Sequence, residues 1–358
     1  MKGSVMDFEH NDNLSQAPGP PPNVPVSGLP APAPPAQPPR RTSGWRIFWR
    51  VVLSLSILAN VVLFMLLLGV VAVFATGQGG FLTEEVVREG PARNKIAMIT
   101  VEGIIHGNAA SDVYRQLKAA RQDRRVKGLI VRVNSPGGTI SASDQIYKEI
   151  RKFRDEEKRP VVAFMQGVAA SGGYYASVAC EKIIAEPTAI TGSIGVISSY
   201  FVVKGLLEEK LGVLPVVVKS GEKKDWPSSF RPPTEQEIQY MQDRLITPAR
   251  DRFVEVVAEG RAGSLTSEQV KEIAVDAGIY GAKEALDEKL IDKIGYLDEA
   301  IALVKSMAQI DEAQVVQYRK PFSFMDILSY RKASFPKLDR NTLYELGTPE
   351  VLYLWSAR

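Results

Sequence analysis

The chain has 358 residues, 44 lysines and arginines against 41 aspartates and glutamates, and a hydrophobic fraction of 45%. That length admits more than one domain and that composition a packed core, while a net charge of +3 gives no basis for nucleic-acid binding. The single cysteine, Cys180, excludes an intrachain disulfide and a cysteine-based zinc site, and of two histidines, His10 and His106, only His106 lies where folding is expected.

Residues 1–50 read as a disordered tail. Eleven of the 23 prolines fall between positions 18 and 39, mixed with Ala, Gly and Val, a composition that favours extended polyproline conformations. Residues 51–75 follow as 25 positions without a charge, enough to cross a hydrocarbon core of about 30 Å as a transmembrane helix. A cleaved signal peptide would need a shorter apolar core nearer the start. Arg40, Arg41, Arg46 and Arg50 precede this span, whereas in the 15 residues after it Arg88 stands alone against Glu84, Glu85 and Glu89. The positive-inside rule then puts the tail in the cytoplasm and everything after the span outside it. Trp45 and Trp49 fit an interfacial belt, and Asn60, near mid-span, is suited to facing a partner helix.

Residues 76–94 read as a linker, and from Lys95 the pattern becomes α/β. Strands are expected over 96–101, 128–133, 161–166, 182–185, 194–197 and 215–218, with helices over 112–121, 141–153 and 204–210. Short apolar strands alternating with helices imply parallel pairing with right-handed crossovers. A longer amphipathic helix is expected over 234–260, then two shorter ones over 267–275 and 281–289. Past 311 the pattern fades to one strand at 315–318, so 95–310 reads as the catalytic domain and 311–358 as an extension.

Within this frame, Ala170-Ser171-Gly172-Gly173-Tyr174-Tyr175 follows an apolar strand and opens a helix. Ser171 stands where it can act either as a helix cap or as an oxygen nucleophile whose neighbouring amide holds an oxyanion. Asn134-Ser135-Pro136-Gly137-Gly138, also between a strand and a helix, exposes backbone amides suited to an oxyanion hole. Thr191-Gly192-Ser193-Ile194-Gly195 sets a hydroxyl between glycines. Lys219-Ser220-Gly221-Glu222-Lys223-Lys224-Asp225 offers a lysine base, which must be neutral to work. Spacing alone does not choose among Lys219, Lys223 and Lys224.

These four stretches, with Arg261-Ala262-Gly263 and Gly295-Tyr296-Leu297-Asp298, stand in the order and spacing of the signal peptide peptidase A family, which the chain resembles from about Lys95 to Ala300. Each motif alone is weak, and the ordered set is specific. The resemblance implies a membrane-bound bacterial serine peptidase with a Ser–Lys dyad on a crotonase/ClpP-like α/β fold of stacked ββα units. It casts Ser171 as nucleophile, Lys224 as general base and Ser193 as the hydroxyl that positions that lysine. Gly137 or Gly138, with Gly172, becomes the oxyanion hole.

One catalytic unit matches the short form of the family, which implies a homo-oligomer whose active sites can be shared between subunits. The implied substrates are signal peptide remnants and other unstructured apolar peptides, with no metal or other cofactor. The implied location is the cell membrane, single-pass, with the catalytic domain extracytoplasmic. Three rivals stand beside this reading: a non-catalytic membrane-anchored scaffold, a crotonase-like acyl-thioester hydrolase, and a serine hydrolase that uses His106.

Overall fold

The computed structural model describes residues 44–77, 82–320 and 350–355. The tail expected from the sequence lies outside them up to position 43, and its last seven residues belong to a helix, α1 (Gly44–Gly77). This helix is long and apolar enough to cross a membrane. The Asn60 amide is satisfied within α1, donating to the Ser56 carbonyl across 2.7 Å, so it needs no partner helix.

The second compact unit begins at Val73. Its elements are β1 (Thr83–Arg88), β2 (Lys95–Glu102), α2 (Gly107–Gln122), β3 (Val126–Ser135), β4 (Gly137–Thr139), α3 (Ile140–Glu157), β5 (Val161–Ala170) and α4 (Gly172–Ser177). There follow β6 (Lys182–Ala185), β7 (Ile190–Gly192), β8 (Ile197–Ser199), α5 (Glu235–Met241), α6 (Thr247–Gly260), α7 (Ser267–Ile273), β9 (Ile279–Gly281), α8 (Ala282–Asp287), β10 (Lys293–Ile294), α9 (Leu297–Met307), β11 (Gln314–Arg319) and β12 (Glu350–Leu354).

The backbone of the fold is a sheet in the order β1-β11-β2-β3-β5-β6-β10, with β7 on the far half of β5 and β9 on β7. The central pairings β11–β2–β3–β5–β6 are parallel, as expected where helices form the crossovers. Parallel strands covered on both faces read as continuous apolar runs, and the period of two sorts them. In β2, Ala97, Ile99 and Val101 enter a core built with α2, α3 and α4, while Ile96 and Met98 enter one built with α9. The same alternation continues through Val131 against Ile130 and Ala163 against Phe164.

Gly167 carries the bend that makes the site. Its φ of +66° is a left-handed conformation open to glycine. Before it, Val162 to Met165 pair with β6; after it, Val168 to Ala170 pair with β7. The strand thus changes neighbours and delivers Ser171 to the end of a different edge. Together with the helices on both faces, this gives the mixed α/β architecture of the ClpP/crotonase type.

Several expectations need correction. Residues 215–218 form no strand: the run is apolar, but no edge among the described residues pairs with it, and Val216 and Val218 are 79% and 94% exposed. Of the strand placed at 194–197 only Ile197 is in one: β7 ends at Gly192 and β8 begins at Ile197. The helix read over 234–260 is interrupted by a π turn at Gln242–Ile246, just before Pro248, which has no amide to donate into a regular α turn. The stretch 76–94, read as a linker, contains β1, antiparallel to β11. Lys95, 2% exposed, fastens that edge through Glu84 at 2.5 Å and Asp123 at 3.1 Å. Beyond 311, β11 lies in the main sheet, and β12 joins a second, three-stranded sheet, β4-β12-β8.

Candidate active site

Ser171 occupies the step between β5 and α4 with φ 52° and ψ −117°. A non-glycine residue there carries strain of order 1–3 kcal/mol, of the kind seen where a nucleophile is set on a sharp strand-to-helix turn. Its side chain makes no capping hydrogen bond, which removes the alternative of a helix cap. The Oγ is instead buried without a hydrogen-bond partner among the described residues, a costly state for a hydroxyl with no role to play. Two tyrosines behind it hold α4 in place. The Tyr174 phenol donates to the Leu290 carbonyl at 2.9 Å, and that of Tyr175 to Asp144 at 2.6 Å. Burial pushes the ionisation of both well above the ordinary phenol range, so both stay neutral donors.

The two glycine candidates for an oxyanion hole differ. The Gly137 amide donates to Ser135 Oγ at 3.0 Å and is therefore occupied. The Gly137 carbonyl accepts from Ile105, and the Thr139 amide donates back to the Ile105 carbonyl. Alternation along the strand then turns the Gly138 amide to the opposite edge. Gly137 supplies room: at φ +100°, a Cβ there would run into the Gly172 amide nitrogen and the Tyr353 carbonyl oxygen. The structure thus brings Gly137 against Gly172, immediately after Ser171, while Gly138 packs on the Ile105 backbone.

Ser193 lies alongside. Its predecessor Gly192 pairs with Ala170, and the Ser171 amide donates to the Gly192 carbonyl at 2.8 Å. Ser193 also takes a left-handed turn, at φ 51°, and is 8% exposed.

The three lysines separate by what each one holds. Lys219 donates to Asp225 at 2.7 Å and to the Glu222 carbonyl at 2.9 Å. Lys223 lies over the Tyr240 and Trp226 rings, 4.4 and 5.5 Å from their centroids. Lys224 is exposed; its amide donates to the Gly221 carbonyl at 3.1 Å, and its ammonium has no hydrogen bond or ion pair among the described residues. Nor does any hydrogen bond among them join Lys224 to Ser171 or Ser193.

The turn bearing Lys224, Glu222–Asp225, is tied down from its far end. Asp225 is held by Lys219 and by Arg231 at 3.7 Å, and its carboxyl lies below the ordinary range chiefly because Lys219 hydrogen-bonds it. Arg231 in turn grips the fully buried Glu237 with 2.6 and 2.7 Å bonds. Nothing in the sequence pattern flagged Arg231 and Glu237. The nearest signal was the Thr234/Glu237 capping box at the start of α5.

His106 is the N-cap of α2, its Nδ1 accepting from the Ala109 amide at 3.4 Å, so it is engaged in capping.

Comparison with known proteins agrees with this architecture. The model of peptidase family S49 matches residues 153–311, and that of Clp protease residues 92–190. A putative signal peptide peptidase SppA from Enterococcus faecium is 39% identical over 249 residues, covering 66% of this chain and 71% of that protein. The chloroplastic serine protease SPPA of Arabidopsis thaliana is 32% identical over 263 residues, 69% of this chain and 38% of that protein. Protease 4 of Salmonella typhi is 32% identical over 240 residues, 65% of this chain and 38% of that protein.

Proposed function

Because the chain belongs to the signal peptide peptidase A family, peptidase family S49, and is a serine protease of that family, we propose that it cleaves peptides with a Ser171–Lys224 dyad. The observation that carries this reading is the strained and buried Ser171 hydroxyl, unpartnered among the described residues, next to the close approach of Gly172 and Gly137.

In the mechanism, Lys224 takes the Ser171 proton as Oγ attacks the peptide carbonyl carbon. The Gly172 and Gly138 amides hold the oxyanion, with Gly137 leaving space for it. Collapse expels the amine and leaves an acyl-enzyme on Ser171, which water then hydrolyses. Ser193 positions the lysine through its hydroxyl. The choice of Lys224 is supported by the engagement of Lys219 with Asp225 and of Lys223 with the aromatic pair.

Lys224 reaches the serine of a neighbouring subunit in this reading. The absence of a bond between the two within one chain favours a shared site, as do the unpaired residues 215–218, whose apolar side chains face solvent in a single copy. The chain is anchored by α1 in the cell membrane, with residues 1–43 in the cytoplasm and the catalytic unit outside it. Its substrates are signal peptide remnants and other unstructured apolar peptides, and the reaction asks for no metal or cofactor. Cleavage of a fluorogenic signal-peptide segment by the full chain in detergent micelles tests this. Loss in Ser171→Ala alongside full activity in His106→Ala is the expected pattern, whereas loss in His106→Ala would favour a histidine-based hydrolase.

A further inference from the structure

The glycines that follow β3 are reached through an irregular turn, and one buried side chain closes it. Past the end of β2, residues 103–105 run parallel to 134–139. The Gly103 amide donates to the Asn134 carbonyl at 2.9 Å, which sets Gly103 opposite Ser135. Further on, the Ile105 amide donates to the Gly137 carbonyl at 2.8 Å and the Thr139 amide to the Ile105 carbonyl at 2.7 Å, which sets Ile105 opposite Gly138. The pairing thus advances two residues on one side and three on the other, a bulge at Pro136-Gly137. A regular parallel ladder would have the amide of residue 136 donate to the Gly103 carbonyl, and Pro136 has no amide hydrogen. The Gly137 amide points out of the ladder as well. One hydroxyl meets both groups: Ser135 Oγ donates to the Gly103 carbonyl at 2.6 Å and accepts from the Gly137 amide at 3.0 Å.

Ser135 is 0% exposed and is itself pinned from two further sides. Its backbone pairs with Ala169, where β5 resumes after the bend at Gly167. Its carbonyl lies against Gly173, where a Cβ would come within 2.7 Å of it. The same residue therefore touches both the strand that delivers Ser171 and the helical turn after it. The peptides on either side of Gly137 are clamped in turn. Ile105 holds the Gly137 carbonyl, so the planar trans peptide fixes the Gly138 amide on the opposite side. Ser135 holds the Gly137 amide, which keeps φ at +100° and Gly137 against Gly172.

We propose that Ser135 is the positioning residue of the oxyanion hole: its hydroxyl locks the Pro136-Gly137 bulge and so aims the Gly138 amide at the carbonyl that Ser171 attacks. The proposal rests on the reading of Ser171 as nucleophile and Gly138 as a donor. Ser135 touches no reacting atom. A donor that is used fully only when charge develops on the oxygen acts on the transition state, so loosening it lowers kcat and leaves KM nearly unchanged.

The test uses the full chain in detergent micelles, a fluorogenic peptide and the matching peptide aldehyde, which adds to a serine hydroxyl as a tetrahedral hemiacetal. It compares wild type with Ser135→Ala, which removes the hydroxyl, and with Ser135→Cys, which keeps the shape with a weaker donor and acceptor. The expected result is a fall in kcat of about 10²-fold in Ser135→Ala and a smaller one in Ser135→Cys, with KM within about twofold. Aldehyde affinity should weaken in step with kcat/KM, which a reduced folded fraction would not produce. Wild-type kcat in a folded Ser135→Ala would overturn the proposal and leave the peptidase reading standing. So would a fall in kcat with aldehyde affinity unchanged, the mark of a purely structural role. If Ser135→Ala fails to fold, Ser135→Cys carries the same comparison. No cleavage by wild type would sink the peptidase reading, and this inference with it.

Discussion

The amide of Ser171 donates to the carbonyl of Gly192 across 2.8 Å, so the candidate nucleophile is fastened by its backbone to the residue before Ser193. Both serines then leave their strands through left-handed turns, at φ 52° and 51°. The pairing of Ala170 with Gly192 sets them side by side, although 22 residues separate them in the chain. Two hydroxyls positioned by one pair of parallel strands do not depend on loop flexibility for their spacing, which is what a preorganised site requires.

Gly137→Ala should lower both activity and stability. Its φ of +100° is unfavourable to an L side chain, and the new Cβ would meet the Gly172 amide nitrogen. The backbone conflict alone costs about 1–2 kcal/mol, and disturbing the oxyanion donors about 10²-fold or more in kcat. Peptide cleavage together with urea unfolding checks both parts. A variant with wild-type kcat would show that this glycine has no part in the hole.

Tyr174→Phe should destabilise the catalytic unit without touching the reacting groups. It strips a buried donor from the Leu290 carbonyl, which then stays unsatisfied at a cost of about 1–3 kcal/mol. The expected result is a lower urea midpoint with the slope unchanged. An unchanged midpoint would mean that the carbonyl finds another donor.

How much of this was legible in the sequence depended on where each signal came from. The runs in β2, β3 and β5 were readable because strands buried on both faces are apolar without a break. Ser171 was readable because glycines and small residues surround it at a strand-to-helix step. The failures are non-local. Residues 215–218 look like a strand, but strand state needs an edge to pair with, and no edge among the described residues supplies one. The converse holds for β12: Glu350–Leu354 becomes a strand through β4 and β8, more than 150 residues earlier. The choice among three lysines was likewise beyond spacing. The family resemblance pointed to Lys224, and the proposal that it is the base draws support from Asp225 engaging Lys219 and from Trp226 and Tyr240 engaging Lys223.

The anchor of the Lys224 turn should show itself in acid. Arg231, hydrogen-bonded to Glu237, draws that carboxyl down from its ordinary 4.5 to about 2. A carboxyl depressed on folding stabilises the native state fully above its unfolded value and loses that contribution as pH falls through the folded one. The Arg231–Glu237 contribution should therefore be constant above about pH 4.5 and disappear between there and about 2. Glu237→Gln should flatten that part of the stability–pH curve, and lower kcat at neutral pH by loosening the turn. A curve of unaltered shape would show that the pair does not anchor the turn.

The most direct test is of the dyad itself: cleavage of a fluorogenic peptide by the full chain in micelles, for wild type, Ser171→Ala, Lys219→Ala, Lys223→Ala and Lys224→Ala. The prediction is loss of about 10³-fold or more in Ser171→Ala and Lys224→Ala alone. Mixing those two inactive proteins should restore part of the activity if subunits share sites. An active Lys224→Ala, or a Lys223→Ala as dead as Ser171→Ala, would contradict the assignment and move the base to another side chain.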